Sequence, residues 1–343
     1  MRRPAEGVAA PPLARWDSGW YYRIAVEGYR YDSPSYQSSV GFYPLYPVLV
    51  GAIVRVFHTP IFGTGIALSL LCILGALFLI RDLSSLWDSR GDPDGTPEAI
   101  LFFPTAFFFA AFYTESLFLL ATAACLWGLR RGRWFVAGLG AAAAALTRLN
   151  GALTLIPIAI AAGAEASWRL RNIRARHVFA CLLGVAGAAA YPAYLWRRFG
   201  SPLLYIHAKN NVLGVSQGFR PPWHLLRLVF KRGFELVTGL NMGHQIRSWL
   251  ELGSLLAFSV LAVLLFRRRL IPEAGYCVAS VLVFWCAGSF DAMDRYVLVL
   301  FPCFYLIGDL LRRRATAAFA YRFVGAALEA LLLIRFVRGV WVG

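Results

Sequence analysis

A single carboxylate, Asp17, lies between two tryptophans in the string RWDSGW at 15–20. Tryptophan prefers the headgroup level of a bilayer, and an acid near a bilayer tends to be functional. Such a carboxylate can take a proton from a hydroxyl group that approaches from water. The helical spacing of Trp16, Trp20 and Ile24 predicts a short helix that ends at Gly28. Asp17 could equally well cap that helix.

Three other charged residues come at the ends of predicted apolar helices. Glu115 follows the aromatic stretch 102–113 and could either cap the next helix or bind a substrate hydroxyl. Arg148 falls at a predicted break between two half-helices, where a lone arginine is costly unless it is paired. This favours an anion such as a phosphate as its ligand, and a buried ion pair is the alternative. Arg295, followed by Tyr296, is either a phosphate contact or an arginine that extends to the interface.

The composition is that of an integral membrane protein. The 343 residues are 59% hydrophobic and 15% charged, whereas a soluble domain carries roughly 25% charged residues. The net charge of +16 comes mostly from short arginine runs between apolar stretches, which is typical of orientation signals and anionic-lipid contacts rather than nucleic-acid binding. The six cysteines lie in apolar segments without CxxC spacing and are predicted to be small buried hydrophobes.

The apolar stretches predict an all-α bundle of about ten transmembrane or half-spanning helices, with interfacial helices in a first outer loop. The predicted spans are 61–81, 98–112, 116–129, 178–198, 249–266, 271–289, 295–311 and 317–338, with shorter helices at 134–146 and 151–166. Residues 1–60 form the outer loop with Asp17, and 61–343 form the transmembrane part with a second outer loop at 199–248. We expect both to belong to one structural unit.

Arginine runs at 130–133, 169–176, 267–269 and 312–314 should all be cytoplasmic. This places Asp17 on the outer face, provided that 42–57, which is short and contains two prolines, lies in the membrane plane rather than across it. The chain would then begin outside with no helix to bring it there. Either the N-terminal tail crosses the membrane unaided or a first transmembrane helix is missing from this sequence, and we favour the second alternative.

Several strings together resemble the PIG-V family of membrane mannosyltransferases, which has many bacterial members. The strings are WDSGWY at 16–21, FYPLYP at 42–47, FPTAFF at 103–108, YTESLF at 113–118, LTR at 146–148 and RYVL at 295–298. Their order and spread over most of the chain make the resemblance specific for the family but not for the substrate. Two departures are the missing first helix and the segment 209–211, where a more aromatic stretch with glutamine is expected.

The resemblance implies a GT-C glycosyltransferase fold and a sugar donor linked to polyprenyl phosphate. It assigns Asp17 as the catalytic base of an inverting transfer to a lipid, glycan or protein hydroxyl on the outer face of a bacterial plasma membrane. The residues expected to contact substrate are Trp20, Tyr21, Glu115, Arg148, His207, Lys209, Arg295 and Tyr296. No histidine shows metal-ligand spacing; no cofactor is predicted, a divalent metal stays open, and the oligomeric state is not predicted.

Two other functions compete with this enzyme. A transporter or flippase for lipid-linked sugars would use the same arginines without chemistry, and repeated broken helices would be its sign; the sequence shows one such break, at Arg148. A membrane scaffold would leave the charged residues without a shared site. The enzyme requires Asp17, Glu115, Arg148 and Arg295 to converge, with Asp17 within about 15 Å of the arginines.

Overall fold

A computed structural model describes residues 10–31, 38–88, 91–210, 220–225, 227–228, 242–287 and 292–342, without the side chains of 207, 209, 210 and 242–248. Within these ranges the chain is helical and contains no strand. The α-helices are α1 (Ser18–Glu27), α2 (Leu45–Phe57), α3 (Ile61–Trp87), α4 (Gly95–Leu101), α5 (Glu115–Arg130), α6 (Trp134–Thr147), α7 (Leu155–Glu165), α8 (Ala175–Phe199), α9 (Leu204–Asn210), α10 (Met242–Arg267), α11 (Ile271–Trp285), α12 (Met293–Leu298), α13 (Phe301–Arg312) and α14 (Ala315–Val337). Short 3₁₀ helices cover Ser39–Gly41, Ala106–Ala110, Leu149–Thr154 and Leu170–Asn172.

Four of the described helices are long and apolar enough to cross a membrane. They are α3, α8, α14 and the part of α10 from Trp249 to Arg267. A span needs about 20 apolar residues, so the protein is an integral membrane protein, as its composition predicts. Shorter apolar helices, among them α2, α6 and α11, pack between or beside the long ones.

Two of the predicted spans are wrong because each is interrupted at a proline. The span predicted at 98–112 is instead α4, which ends at Leu101, followed by turns and the 3₁₀ helix Ala106–Ala110. The span predicted at 295–311 is divided into α12 and α13. Pro104 and Pro302 have no N–H to donate, and each ring would clash with the carbonyl four residues earlier in a continuous helix. Hydropathy alone does not register this interruption.

The irregular segment 102–113 is supported along its length by α14. Tyr321 donates a hydrogen bond to the carbonyl of Ala99 at 2.6 Å. A Cβ on Gly325 would lie 2.0 Å from the carbonyl oxygen of Phe102, so only glycine allows this close approach. One turn later, Glu329 accepts a hydrogen bond from the backbone of Phe107. Backbone groups outside a regular helix must find partners inside a membrane protein, and α14 provides some of them.

Arginine–carboxylate pairs collect at one end of the bundle. Arg130, at the end of α5, makes two hydrogen bonds of 2.6 Å to Glu273 at the start of α11. Arg131 binds Asp82 near the end of α3. Asp309, near the end of α13, pairs with Arg268 and also with Arg312 and Arg313. Three of the four predicted cytoplasmic runs therefore contribute to one end of the bundle, and the fourth pairs with Glu165 at the end of α7.

The cysteines behave as small apolar residues. All six are free thiols, of which four are buried and two, Cys181 and Cys286, are half-buried.

Candidate active site

Four charged side chains form one continuous chain of ion pairs at the opposite end of α5 from Arg130. Asp17 Oδ2 lies 3.1 Å from Arg295 Nη1. Arg295 Nε lies 3.5 Å from Glu115 Oε1, and the same oxygen accepts a hydrogen bond from Arg148 Nη2 at 2.7 Å. Because the four residues come from distant parts of the sequence, tertiary folding alone brings them together.

Asp17 stands at the start of α1 but does not cap it. The side chain makes no capping hydrogen bond to the first turn and turns to Arg295 instead. Its backbone N–H donates a hydrogen bond to the hydroxyl of Tyr113 at 3.3 Å, and the hydroxyl of Ser18 donates to the carbonyl of Phe112 at 3.1 Å. The start of α1 is thus attached to the segment that leads into α5. The predicted helix end is confirmed, since α1 stops at Gly28 with a φ of +78°.

Glu115 is the first residue of α5 and is completely buried. An acid in the first turn is favoured by the helix dipole, but a buried carboxylate also needs a cation. Oε1 has Arg148 and Arg295 beside it, whereas Oε2 has no hydrogen-bond partner among the described residues. Glu115 therefore links two arginines and keeps one oxygen free of hydrogen bonds within the described chain.

Arg148 lies at the break between α6 and the 3₁₀ helix that leads into α7, as the sequence predicts. Its backbone is extended, with φ −153° and ψ 153°, and this turns the side chain out of the helical path. The break depends on Gly151, where a Cβ would lie 2.0 Å from the carbonyl oxygen of Ala144. The guanidinium lies over the rings of Phe118 and Tyr296.

Arg295 is enclosed by aromatic rings. Its guanidinium carbon lies between 5.3 and 5.7 Å from the ring centroids of Phe108, Tyr113, Tyr296 and Trp341. Burial by itself would lower the pKa of Arg295, but the charges of Asp17 and Glu115 outweigh it and raise that pKa well above its ordinary value. The arginine is thus a fixed cation with its polar edge toward the two acids.

The four side chains differ in how far solvent reaches them. Asp17 is 23% exposed and Arg148 14%, whereas Arg295 is 5% exposed and Glu115 is fully buried. A substrate could reach the first two directly. Arg295 and Glu115 lie behind them and hold them in place. Within the described part of the chain, no three His, Cys, Asp or Glu side chains are close enough together to hold a metal ion.

The other predicted contact residues are divided between the site and its surroundings. Tyr296 lies beside both arginines. Tyr21 is buried against Tyr113, and burial raises its pKa, with the charge of Asp17 adding to this effect. Trp20 stacks on Phe42 at 5.7 Å between ring centroids. The side chains of His207 and Lys209 lie outside the described part of the structure.

The rings that surround Arg295 were not predicted from the sequence. Phe108 and Tyr113 lie within strings noted for their resemblance but carry no charge that would single them out. Trp341 belongs to no motif at all. A tryptophan close to the end of a spanning helix normally indicates the membrane interface, so its contact with Arg295 needed the structure.

Comparison with curated proteins and with solved structures found no match. A family model described as Mannosyltransferase (PIG-V) matches residues 5–162, a little under half of the chain. The matched region includes Asp17, Glu115 and Arg148, whereas Arg295 lies beyond it. On this match the protein, with its four long apolar helices, is a membrane-bound glycosyltransferase.

Proposed function

We propose that the protein transfers a mannosyl group from a polyprenyl-phosphate donor to an acceptor hydroxyl, with Asp17 as the general base. The observation that carries this proposal is the position of Asp17. It is the most exposed member of the ion-pair chain, yet Arg295 holds one of its oxygens at 3.1 Å. A general base must be both accessible to the hydroxyl and fixed in direction, and Asp17 meets both conditions.

The reaction is a single displacement at the anomeric carbon. The acceptor oxygen forms a bond to that carbon while its proton passes to Asp17. On the opposite side the bond to the phosphate oxygen breaks, and polyprenyl phosphate leaves with the electron pair. The sugar is transferred with inversion. Phosphate is a good leaving group, so the step needs no general acid.

Arg148 is the better of the two arginines for the departing phosphate. It is the more exposed, and its only described hydrogen bond to a carboxylate uses one of its five N–H groups. A guanidinium group can donate two parallel hydrogen bonds to two oxygens of one phosphate, and it stabilises the negative charge that develops on them. Arg295 has two carboxylates close to it and rings over its faces, so it serves Asp17 rather than the donor.

The proposed setting follows from the charge runs. The arginine-rich end of the bundle would face the cytoplasm, which puts Asp17 at the outer face of the plasma membrane, in a GT-C-like helical bundle. The acceptor, whether lipid, glycan or protein, would approach from that side.

Transfer by the purified protein in detergent micelles tests this function against lipid-linked sugar transport. A detergent micelle does not separate two compartments, so a flippase would produce no mannosylated acceptor in this assay. We expect mannosylated acceptor and free polyprenyl phosphate in equal amounts from polyprenyl-phosphate mannose. Donor that remains intact with every hydroxyl acceptor supplied, while vesicles containing the protein translocate it, would refute the enzyme and support transport.

A further inference from the structure

The last described residues of the chain return to the candidate site. After α14 ends at Val337, Gly339 takes a φ of +78°, and its N–H donates a hydrogen bond to the carbonyl of Phe336 at 2.9 Å. The N–H of Val340 donates to the carbonyl of Arg335, also at 2.9 Å. This turn ends the helix, and Val342 beyond it is buried, with 2% of its surface exposed.

Trp341, two residues after Gly339, contacts two parts of the site. Its ring lies 5.7 Å from the guanidinium carbon of Arg295 and meets the ring of Trp16 edge to face at 5.3 Å between centroids. Trp16 immediately precedes Asp17 and has a φ of +54°, an unusual backbone for a tryptophan. One side chain thus touches both the arginine that holds Asp17 and the residue next to Asp17.

Trp341 differs from the other three rings around Arg295 in how it is held. Phe108, Tyr113 and Tyr296 are on segments within the helical bundle, where Phe108 and Tyr113 also contact Phe336. Trp341 comes from the short segment that follows α14. Substituting it removes one face of the arginine enclosure and leaves every described helix complete.

We propose that Trp341 is a positioning residue that acts on Asp17 through Arg295 and Trp16. A desolvated cation–π contact restricts a guanidinium group, and here it keeps the Nη1 edge of Arg295 toward Asp17 Oδ2. Without the ring, Arg295 can rotate away and Asp17 loses its fixed direction. The inference rests on the proposed function for its catalytic consequence, but the contact itself does not.

The kinetics of three substitutions at Trp341 distinguish an effect of its aromatic ring from an effect of its size. Trp341→Phe keeps an aromatic face, whereas Trp341→Leu and Trp341→Ala do not. We expect Trp341→Leu and Trp341→Ala to lower kcat about ten- to thirty-fold, the worth of a desolvated cation–π contact. Their KM for the donor should stay within about twofold, since the phosphate is assigned to Arg148, and Trp341→Phe should retain kcat within about threefold. Equal kcat in all three variants, or a change in KM alone, would overturn the proposal.

A second pair of variants tests the turn itself. Gly339→Ala strains the turn that precedes Trp341, because alanine at this position must adopt a φ of +78°, which L-residues disfavour. The added Cβ would meet nothing within 4 Å, so the strain comes from the backbone alone. Gly132→Ala has the same strain, with a φ of +67° and nothing within 4 Å, at the turn between α5 and α6 far from the site. We expect Gly339→Ala alone to lower kcat. A similar decrease in both variants would make the effect one of general strain and contradict the proposal.

Hydrogen exchange of the full-length protein tests the contact without turnover. In Trp341→Leu, peptides that cover 13–21 should exchange faster, while those around Arg130 should not change. Unaltered exchange at 13–21 would refute the positioning role. If exchange responds as expected but the wild type transfers no mannose, the proposed function fails and the contact stands. If the wild type transfers mannose and Trp341→Leu matches its kcat, only the positioning role fails.

Discussion

Asp17 Oδ2 accepts a hydrogen bond from Arg295 Nη1 at 3.1 Å, although 278 positions separate the two residues in the chain. The N-terminal region that matches the family model provides the acid, and the C-terminal half provides its cation. The candidate site is therefore assembled from both halves. A fragment limited to the matched residues would contain Asp17 without the group that holds it.

Substitutions of Glu115 and Arg148 should have non-additive effects on the stability of the protein. Removing Arg148 leaves the buried carboxylate of Glu115 with only Arg295 beside it, at 3.5 Å, and removing the charge of Glu115 takes away the carboxylate that Arg148 binds. Breaking a buried ion pair costs up to about 3–5 kcal/mol. We expect Arg148→Met and Glu115→Gln each to lower the unfolding temperature in detergent markedly, and the double variant to lower it by less than the sum of the two. Additive effects would mean that the 2.7 Å contact does not exist.

Arg130 and Glu273 should stabilise the fold without contributing to catalysis. Glu273 is 1% exposed and binds both Arg130 and the indole N–H of Trp87. Arg130→Met should destabilise the protein by about 3 kcal/mol or more, while the surviving folded enzyme keeps its kcat.

The neighbouring arginine provides the control for this pair. Arg131 binds Asp82 at the surface, where both side chains are more than one-third exposed. Such pairs contribute little, so Arg131→Met should leave thermal stability nearly unchanged. Equal losses in the two variants would contradict the buried-pair account.

The hydroxyl of Tyr113 should support Asp17. It accepts the Asp17 N–H and donates to the carbonyl of Arg15 at 3.1 Å. Burial, reinforced by the charge of Asp17, raises the pKa of Tyr113 well above its ordinary value, so it remains a neutral donor at assay pH. Tyr113→Phe keeps the ring beside Arg295 and removes only the hydroxyl.

We expect Tyr113→Phe to lower kcat by up to about tenfold, the worth of one to two ordinary hydrogen bonds. The KM for the donor should not change. Tyr321→Phe serves as the matched control, since its hydroxyl also donates to a backbone carbonyl, that of Ala99, away from the charged chain. Wild-type kcat in Tyr113→Phe would show that the hydroxyl has no role in turnover.

The proposed orientation can be tested by cysteine labelling of intact cells. Thr59 is exposed between α2 and α3, near the candidate site's end of the bundle, and Trp168 is 74% exposed beside the arginine run that begins at 169. A membrane-impermeant maleimide should label Thr59→Cys directly and Trp168→Cys only after permeabilisation. The opposite result would invert the topology, and labelling of unmodified protein sets the background.

The class of fold and the charged residues of the candidate site could be predicted from the sequence. Composition predicted a helical membrane protein, and the isolated charges of Asp17, Glu115, Arg148 and Arg295 stood out because apolar surroundings make each of them costly. The break at Arg148 was visible as a gap between two apolar segments. The structure brings these four residues into one chain of contacts.

The sequence could not predict the irregular path of 102–113 or the enclosure of Arg295. Apolar residues look alike in a spanning helix and in a segment supported by a neighbouring helix, so Pro104 was the only local signal of the interruption. The four rings around Arg295 come from separate segments. Trp341 reaches it through a glycine turn whose direction no local pattern gives.

Asp17→Asn tests whether Asp17 takes the proton of the acceptor hydroxyl. This variant keeps the size of the side chain and removes its basicity. The matched control is Asp94→Asn, since Asp94 is also paired with an arginine, Arg81, but at the surface and away from the site.

Mannosyl transfer from polyprenyl-phosphate mannose should be measured for both variants and the wild type under identical conditions. We expect Asp17→Asn to lower kcat by about a hundred- to ten-thousand-fold, the usual contribution of a positioned general base, while Asp94→Asn matches the wild type. Turnover by Asp17→Asn within a few-fold of the wild type would show that Asp17 is not the general base.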